Sequence, residues 1–334
     1  MNYKMQRLTA QEHVHLTENI LKTFSQNRIT TLLDFLQEDV QKLSALSKLS
    51  LPQILEIRNH ILLKYSAPLI NGTNLFINRL TCKQFISTGI NSLDAILRDG
   101  IPIGFITEIC GLAGCGKSQL CMQLAINCVQ NSSTSVLCID TKGDFSAVRI
   151  QKILDSCGFS YKDMASIMLK IKVIHIWQME DLVKLFEELK SGVLVIENLS
   201  LIIIDSLPSL MFQHFGDDNK IGLKLLNYFA NYARSISKKM EIAIVCVNIQ
   251  TRWIDQDVLD LEDEARSGEA TYTEKWNRCL GKYWQNIPLI VLFLEKHQNS
   301  NENKCFTIKI TVVGYNNPYI NKNCMLEVSS CGIR

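Results

Sequence analysis

Nothing in this chain is apolar for long enough to cross a bilayer; runs such as Leu199–Ile204 stop far short of the roughly 20 residues needed. No secretory leader pattern opens the sequence, and its 12 cysteines never form a CxxC pair. Together these absences predict a reducing intracellular compartment, with thiols used as small apolar residues. The six histidines stand apart, which argues against a zinc cluster. Net charge is only +2, so no global field draws the chain to nucleic acid or membrane, and any DNA site must be local. No internal repeat is visible, and Lys238-Lys239 is too short to be a basic import cluster.

What is present suits one large domain and one small one: 334 residues, 47% of them hydrophobic and 20% charged. Residues 1–65 read as a small all-α domain with helices at His15–Ser25, Thr30–Leu36, Glu38–Leu46 and Leu51–Tyr65. Thr30 and Ser50 are the candidate caps, with Pro52 in the first turn of the last helix. Ile54, Leu55, Ile57, Ile61, Leu62 and Tyr65 predict one broad apolar stripe there. Modules of this size bind DNA or protein. Protein contact is favoured, because Arg28, Lys42, Lys48, Arg58 and Lys64 form no basic block. Residues 66–84, with Pro68 and Asn71-Gly72, predict a linker. It carries an apolar island, Leu75-Phe76-Ile77, suited to docking on its own core or on a neighbouring subunit.

From residue 85 to 334 strands and helices alternate. Strands are expected at Ser135–Asp140, Ile171–Ile176, Leu201–Asp205, Ile242–Val247, Leu289–Leu294, Phe306–Val313 and Met325–Val328. Helices are expected at Ile90–Leu97, Gln119–Val129, Ser146–Asp155, Met179–Leu189 and Ile221–Lys238. The fold class is therefore α/β: a mostly parallel sheet covered on both faces, with an antiparallel edge where the last strands lack helices between them. Residues 191–198 fit either a helix end or a strand.

The densest chemical signal is Gly111-Leu112-Ala113-Gly114-Cys115-Gly116-Lys117-Ser118, followed by Gln119. Glycine, four residues, glycine, lysine and serine form the phosphate-cradling pattern. Its backbone N–H groups would share a polyphosphate, Lys117 would reach the β- and γ-phosphates, and Ser118 would ligate Mg²⁺. The context is right, since an apolar strand (Phe105–Cys110) precedes the loop and a helix follows it. Further on, Leu201-Ile-Ile-Ile-Asp205 describes a buried strand presenting a carboxylate at its C-terminal end, where open α/β sheets bind ligands. Asp205 is the candidate partner of the metal shell.

Four segments, TGINSLDAIL (88–97), GFITEICGLAGCGKSQ (104–119), CIDTKGDFSAVRI (138–150) and LIIIDS (201–206), resemble the RecA-type strand-exchange recombinases of eukaryotes. Ile171–Trp177, Leu280–Trp284 and the helical N-terminal module favour the paralogue branch, most like its D-type member. The resemblance covers nearly the whole chain. It implies a RecA-like ATPase core using ATP and Mg²⁺, with Lys117, Asp205 and Asn248 carrying the chemistry. Asn248 would sense the γ-phosphate, and Arg149 would stack on adenine. Where the family has its catalytic glutamate this chain has Lys142, an amine that is protonated and acceptor-free at neutral pH, so hydrolysis should be slow. The alternative is that Asp140 or Asp144 substitutes.

Ile249 replaces a glutamine of filament-forming members. By the same resemblance Gln250–Cys279 is a DNA loop, with Arg252, Arg266, Lys275, Trp276 and Arg278 as candidate contacts to single-stranded DNA. From Thr251 to Lys282, however, five basic residues face eight acidic ones, so DNA binding should be weak or partner-dependent. Gly314–Pro318 would cap a neighbour's nucleotide or form a plain turn. The implied role is a nuclear recombination mediator, assembled with other recombinase paralogues and without membrane contact. An active strand-exchange ATPase and a structural subunit with a vestigial site are the alternatives.

Overall fold

The computed structural model describes residues 7–65, 71–73, 84–130, 133–214, 220–255, 273–297, 305–314 and 321–334. Two compact units divide the chain, Met1–Cys82 and Lys83–Arg334. The island Leu75-Phe76-Ile77 lies outside the described residues.

In the first unit, helices α1 (Glu18–Gln26), α2 (Leu32–Gln37), α3 (Val40–Ser47) and α4 (Leu51–Tyr65) enclose Phe24, Phe35, Leu43, Ile54, Ile57 and Ile61. The α2 cap is Thr31, one residue beyond the expected Thr30. Its hydroxyl accepts from Asp34 N–H at 3.1 Å, while the Asp34 carboxylate accepts from Thr31 N–H at 2.9 Å. This reciprocal pair satisfies two otherwise orphaned donors. Ser50 does not accept at the start of α4; instead its N–H and hydroxyl both donate to Gln53. The α4 stripe is narrower than its sequence suggests, because Leu55 and Leu62 stay about half exposed. Arg58 is spent on carbonyls, donating to Phe35 O and Glu38 O past the end of α2.

One buried acid joins the start of this unit to its end. Glu12 accepts from Lys64 Nζ and Tyr65 Oη, each at 2.8 Å. Burial pushes the Glu12 carboxyl up, but its bonds to Lys64 and Tyr65 outweigh that and hold it below the usual glutamate value. A lowered carboxylate stabilises the fold above its unfolded pKa and loses that contribution as pH falls through its folded value. Glu12→Gln should therefore lower the melting temperature of the full chain's N-terminal transition at pH 7. The gap from wild type should close when calorimetric scans are repeated below about pH 4, under the ordinary glutamate range.

The second unit is built on a ten-stranded sheet. Its strands are β3 (Ile106–Gly111), β4 (Ser135–Asp140), β5 (Ile171–His175), β6 (Leu199–Asp205), β7 (Ala243–Asp255), β8 (Thr273–Arg278), β9 (Ile290–His297), β10 (Phe306–Gly314), β11 (Asn321–Ser329) and β12 (Gly332–Ile333). The order is β12-β11-β10-β9-β3-β7-β6-β4-β5, with β8 paired to β7 alone. Strands β9, β3, β7, β6, β4 and β5 run parallel, and β10 to β12 continue antiparallel from β9. A separate two-stranded ribbon, β1 (Phe85–Ile86) with β2 (Ile101–Pro102), flanks helix α5 (Asn91–Leu97).

Residue alternation separates the two faces of the sheet. Leu201 and Ile203 point to a layer with α6 (Lys117–Gln130), α7 (Ala147–Ser156) and α8 (Tyr161–Lys170). Ile202 and Ile204 point to α9 (Met179–Ser191), α10 (Leu207–Met211), α11 (Lys220–Lys239) and α12 (Gly281–Gln285). This is a RecA-like core. Helices α8, α10 and α12 were not anticipated. Residues 193–198 form neither helix nor strand, because Gly192 in the left-handed region ends α9 and coil leads to β6. Strand β7 runs past the expected Val247 to Asp255, so the ends of the presumed DNA loop are an antiparallel ribbon, paired from Gln250↔Arg278 to Asp255↔Thr273.

Candidate nucleotide-binding site

The phosphate-loop residues lie between the C-terminal end of β3 and the start of α6, where a parallel sheet leaves a crevice. Gly111 is dictated by packing: a Cβ there would meet the Leu294 carbonyl oxygen at 2.5 Å and Cys115 Sγ at 2.7 Å. Gly114 and Gly116 adopt φ of +75° and +92°, which side-chain-bearing residues resist. Lys117 is buried and folds over the loop, its Nζ donating to Gly111 O at 2.9 Å and Leu112 O at 2.6 Å. An open cleft of about 680 Å³ adjoins the loop, bordered by Leu112, Cys115, Gln250, Phe293 and Lys296.

Strands β4 and β6 pair in register at their ends, so Asp140 and Asp205 are direct neighbours. Their surroundings differ. Asp140 accepts from the N–H groups of Lys142 (3.0 Å), Gly143 (2.9 Å), Asp144 (3.3 Å) and Phe145 (3.0 Å), with His175 Nδ1 at 3.4 Å. Burial pushes its carboxyl up, but the bonds from Phe145, Lys142, Gly143 and Asp144 hold it below the usual range. Hydrogen bonds to a charged group contribute roughly 1.5–3 kcal/mol each, enough for four of them to prevail. Asp140 thus clamps its own turn, its carboxylate committed to four backbone donors rather than set out as a base. Thr141 ties that turn to the end of β6: its hydroxyl donates to Ser206 O at 2.8 Å and accepts from Ser206 N–H at 2.7 Å.

Asp205 has no such cradle. Its Oδ1 is buried without a hydrogen-bond partner, and Lys142 Nζ stands 3.8 Å from it. Burial pushes the Asp205 carboxyl up, against the pull of Ser118, Lys142 and Lys117. Ser118, Asp140, Asp144, Phe145 and Asp205 line one small cavity. The donors suit a divalent cation in part. Ser118 and an orphaned carboxylate oxygen face one space, but an ammonium already faces that oxygen. Among the described residues no group of three or more His, Cys, Asp or Glu could hold a metal, so phosphate oxygens and water would complete any shell.

Arg149 reaches this site, its Nε donating to Gln119 Oε1 at 2.7 Å. Its remaining donors go to Ser330 O (2.5 Å) and Ser329 O (2.7 Å). Bonding along the edges leaves a guanidinium plane able to stack. Asn248 departs from expectation. Its amide donates to Glu108 Oε1 (2.7 Å) and Cys279 O (3.0 Å), and its Oδ1 accepts from Ile249 N–H (2.7 Å). Both donors are used within the protein, so none remains for a γ-phosphate in this conformation. Arg278, a candidate DNA contact, turns inward: its Nη1 donates to fully buried Glu108 at 2.9 Å. Burial pushes Glu108 up, against Arg278 and Asn248.

Arg252 pairs with Trp276, and Lys275 with Trp253, in the β7–β8 register; Arg266 and residues 315–318 lie outside the described residues. Glu108 and His175 were not singled out in the sequence. A lone acid inside the apolar strand Ile106–Cys110 was the available signal for the first. Burial pushes the Cys138 thiol up to about 12, with Asp205 and Asp140 adding to it, in keeping with cysteines used as apolar filler.

A phosphate loop opening onto α6, with an acid-tipped strand two places along a RecA-type sheet, defines a P-loop recombinase-type core. The Rad51 family model matches residues 81–263, more than half of the chain, and the chain belongs to that family. It is similar to the DNA repair protein RAD51 homolog 4, the D-type paralogue, of Bos taurus, with 25% identity over 290 residues covering 85% of this chain and 84% of the relative. The Mus musculus homolog 4 is 27% identical, covering 84% and 82%. RAD51 homolog 2 of Homo sapiens is 23% identical, covering 86% and 81%. No helix among the described residues is long and apolar enough to cross a membrane.

Two substitutions test the buried charges. Arg278→Met strands Glu108 and should destabilise the core by about 3–5 kcal/mol in urea unfolding, with much of the loss recovered on adding Glu108→Gln. Because burial raises the Asp205 pKa, the ligand-free fold loses stability as pH rises through that group's titration. Asp205→Asn should therefore melt higher than wild type at pH 7, by about 2–4 °C, and the difference should shrink toward pH 4.

Proposed function

We propose that this chain is an ATP-binding mediator of homologous recombination repair that holds nucleotide firmly and hydrolyses it slowly. The observation that carries the reading is Lys142. Its ammonium lies beside Asp205 where the family's catalytic glutamate is expected, while Asp140 is consumed by its own turn. The phosphate loop, Lys117, Ser118 and Arg149 would hold the nucleotide, with Gln119 positioning Arg149. Mg²⁺, when bound through Ser118 and Asp205, would neutralise phosphate charge. A protonated amine cannot take a proton from attacking water, and loss of a general base lowers rate by about 10²–10⁴-fold.

The wider reading is supported by the relatives, which are named as DNA repair proteins. The chain would act in the nucleus within a hetero-oligomer of recombinase paralogues, promoting recombinase assembly on single-stranded DNA. The helical unit 1–65 and linker 66–84 would contact one paralogue, and the core 85–334 another. DNA contact would fall to Arg252, Arg266, Lys275 and Trp276. It would be weak or partner-dependent, given the acidic excess between Thr251 and Lys282 and the withdrawal of Arg278 into an ion pair.

ATP binding and turnover, each measured with and without single-stranded DNA, test the reading. Binding without brisk turnover is expected, and Lys117→Ala should abolish binding. Lys142→Glu should raise turnover by about 10²-fold or more. Turnover that stays flat in that variant, with binding intact, would show that the missing carboxylate is not the defect.

A further inference from the structure

We propose that Lys142 is a built-in counter-cation of the nucleotide site, so that this chain binds ATP with little dependence on a divalent metal ion. The inference rests on the nucleotide reading above and extends it to the site's metal requirement. Three observations support it. The first is position: Lys142 Nζ lies 3.8 Å from Asp205 Oδ1, the orphaned oxygen expected to face a metal shell. The distance is that of an ion pair without a hydrogen bond, so the head group has no directional bond to break before it turns toward a phosphate.

The second is rigidity at the base of the side chain. Lys142 N–H is fixed to Asp140 Oδ1, and its neighbour Thr141 bonds both the N–H and the carbonyl of Ser206. The backbone is held while the ammonium, on a flexible four-carbon stem, remains partly exposed. The third is charge. Lysine in place of glutamate changes the site from one negative charge to one positive, the same increment that a bound divalent ion supplies. With Lys117 already against the loop carbonyls, two ammonium groups act on Asp205. A divalent ion approaching Asp205 Oδ1 must compete with Lys142 for it, and a triphosphate arriving without its metal finds a cation already in place.

Calorimetric titration of the full chain with ATP, in excess Mg²⁺ and then in EDTA, tests this. Removing the metal should weaken wild-type binding by less than about threefold and Lys142→Met binding by about tenfold or more, the worth of one charge-assisted phosphate contact. Lys142→Arg, which keeps the charge, should behave as wild type. In nucleotide-free melts, Mg²⁺ should raise the melting temperature of Lys142→Met and leave wild type unchanged. A wild-type loss of tenfold or more in EDTA overturns the inference whatever the variants do, and leaves the nucleotide reading intact. Failure of wild type to bind ATP in either buffer overturns both.

Discussion

Two aspartates, side by side at the ends of neighbouring parallel strands, govern this protein's candidate chemistry. Their Cα atoms are register partners, yet they meet opposite fates. Asp140 gathers four consecutive backbone N–H groups and becomes a structural anion, ionised and inert. Asp205 ends its strand beside α10, keeps one oxygen unbonded and bears a burial cost that Ser118, Lys142 and Lys117 only partly offset. Identical side chains therefore become a clamp and a candidate ligand, through what the following residues do. After Asp140 the chain turns tightly through Gly143 with its amides pointing inward; after Asp205 it does not.

That asymmetry sets the position of Lys142. The turn wound on Asp140 fixes the lysine backbone, and Thr141 pins the same turn to Ser206 just past Asp205. The ammonium is thus presented to the Asp205 oxygen that lacks a hydrogen-bond partner. An exposed lysine–aspartate pair would contribute little. Here one member is buried with an unbonded oxygen, so the cation bears on stability. The proposed slow hydrolysis and relaxed metal dependence would both follow from that one placement.

A second buried acid organises the opposite side of the phosphate loop. Glu108, inside β3, collects Asn248 from β7 and Arg278 from β8. The base of the β7–β8 ribbon is thereby tied to the strand that leads into the phosphate loop. The arrangement spends two residues that looked like ligand contacts on internal electrostatics, because a carboxylate with no solvent exposure must have partners.

The sequence by itself determined the elements whose signal is local. The order of strand, glycine loop and helix, the acid-tipped strand ending at Asp205, and the alternation that buries the sheet on both faces are all properties of short windows. The family resemblance also marked Lys142 as a departure, since only the residue type was at issue. Tertiary structure decided everything that depends on partners distant along the chain. Asp140 and Asp144 looked alike as possible bases until the backbone of 142–145 closed on one of them. Arg278 and Asn248 read as contacts for DNA and phosphate because their common partner, Glu108, lies well over a hundred residues away. Periodicity names a strand, but not which strand lies beside it; a side chain's charge is legible from its letter, whereas its availability is set by what the fold puts next to it.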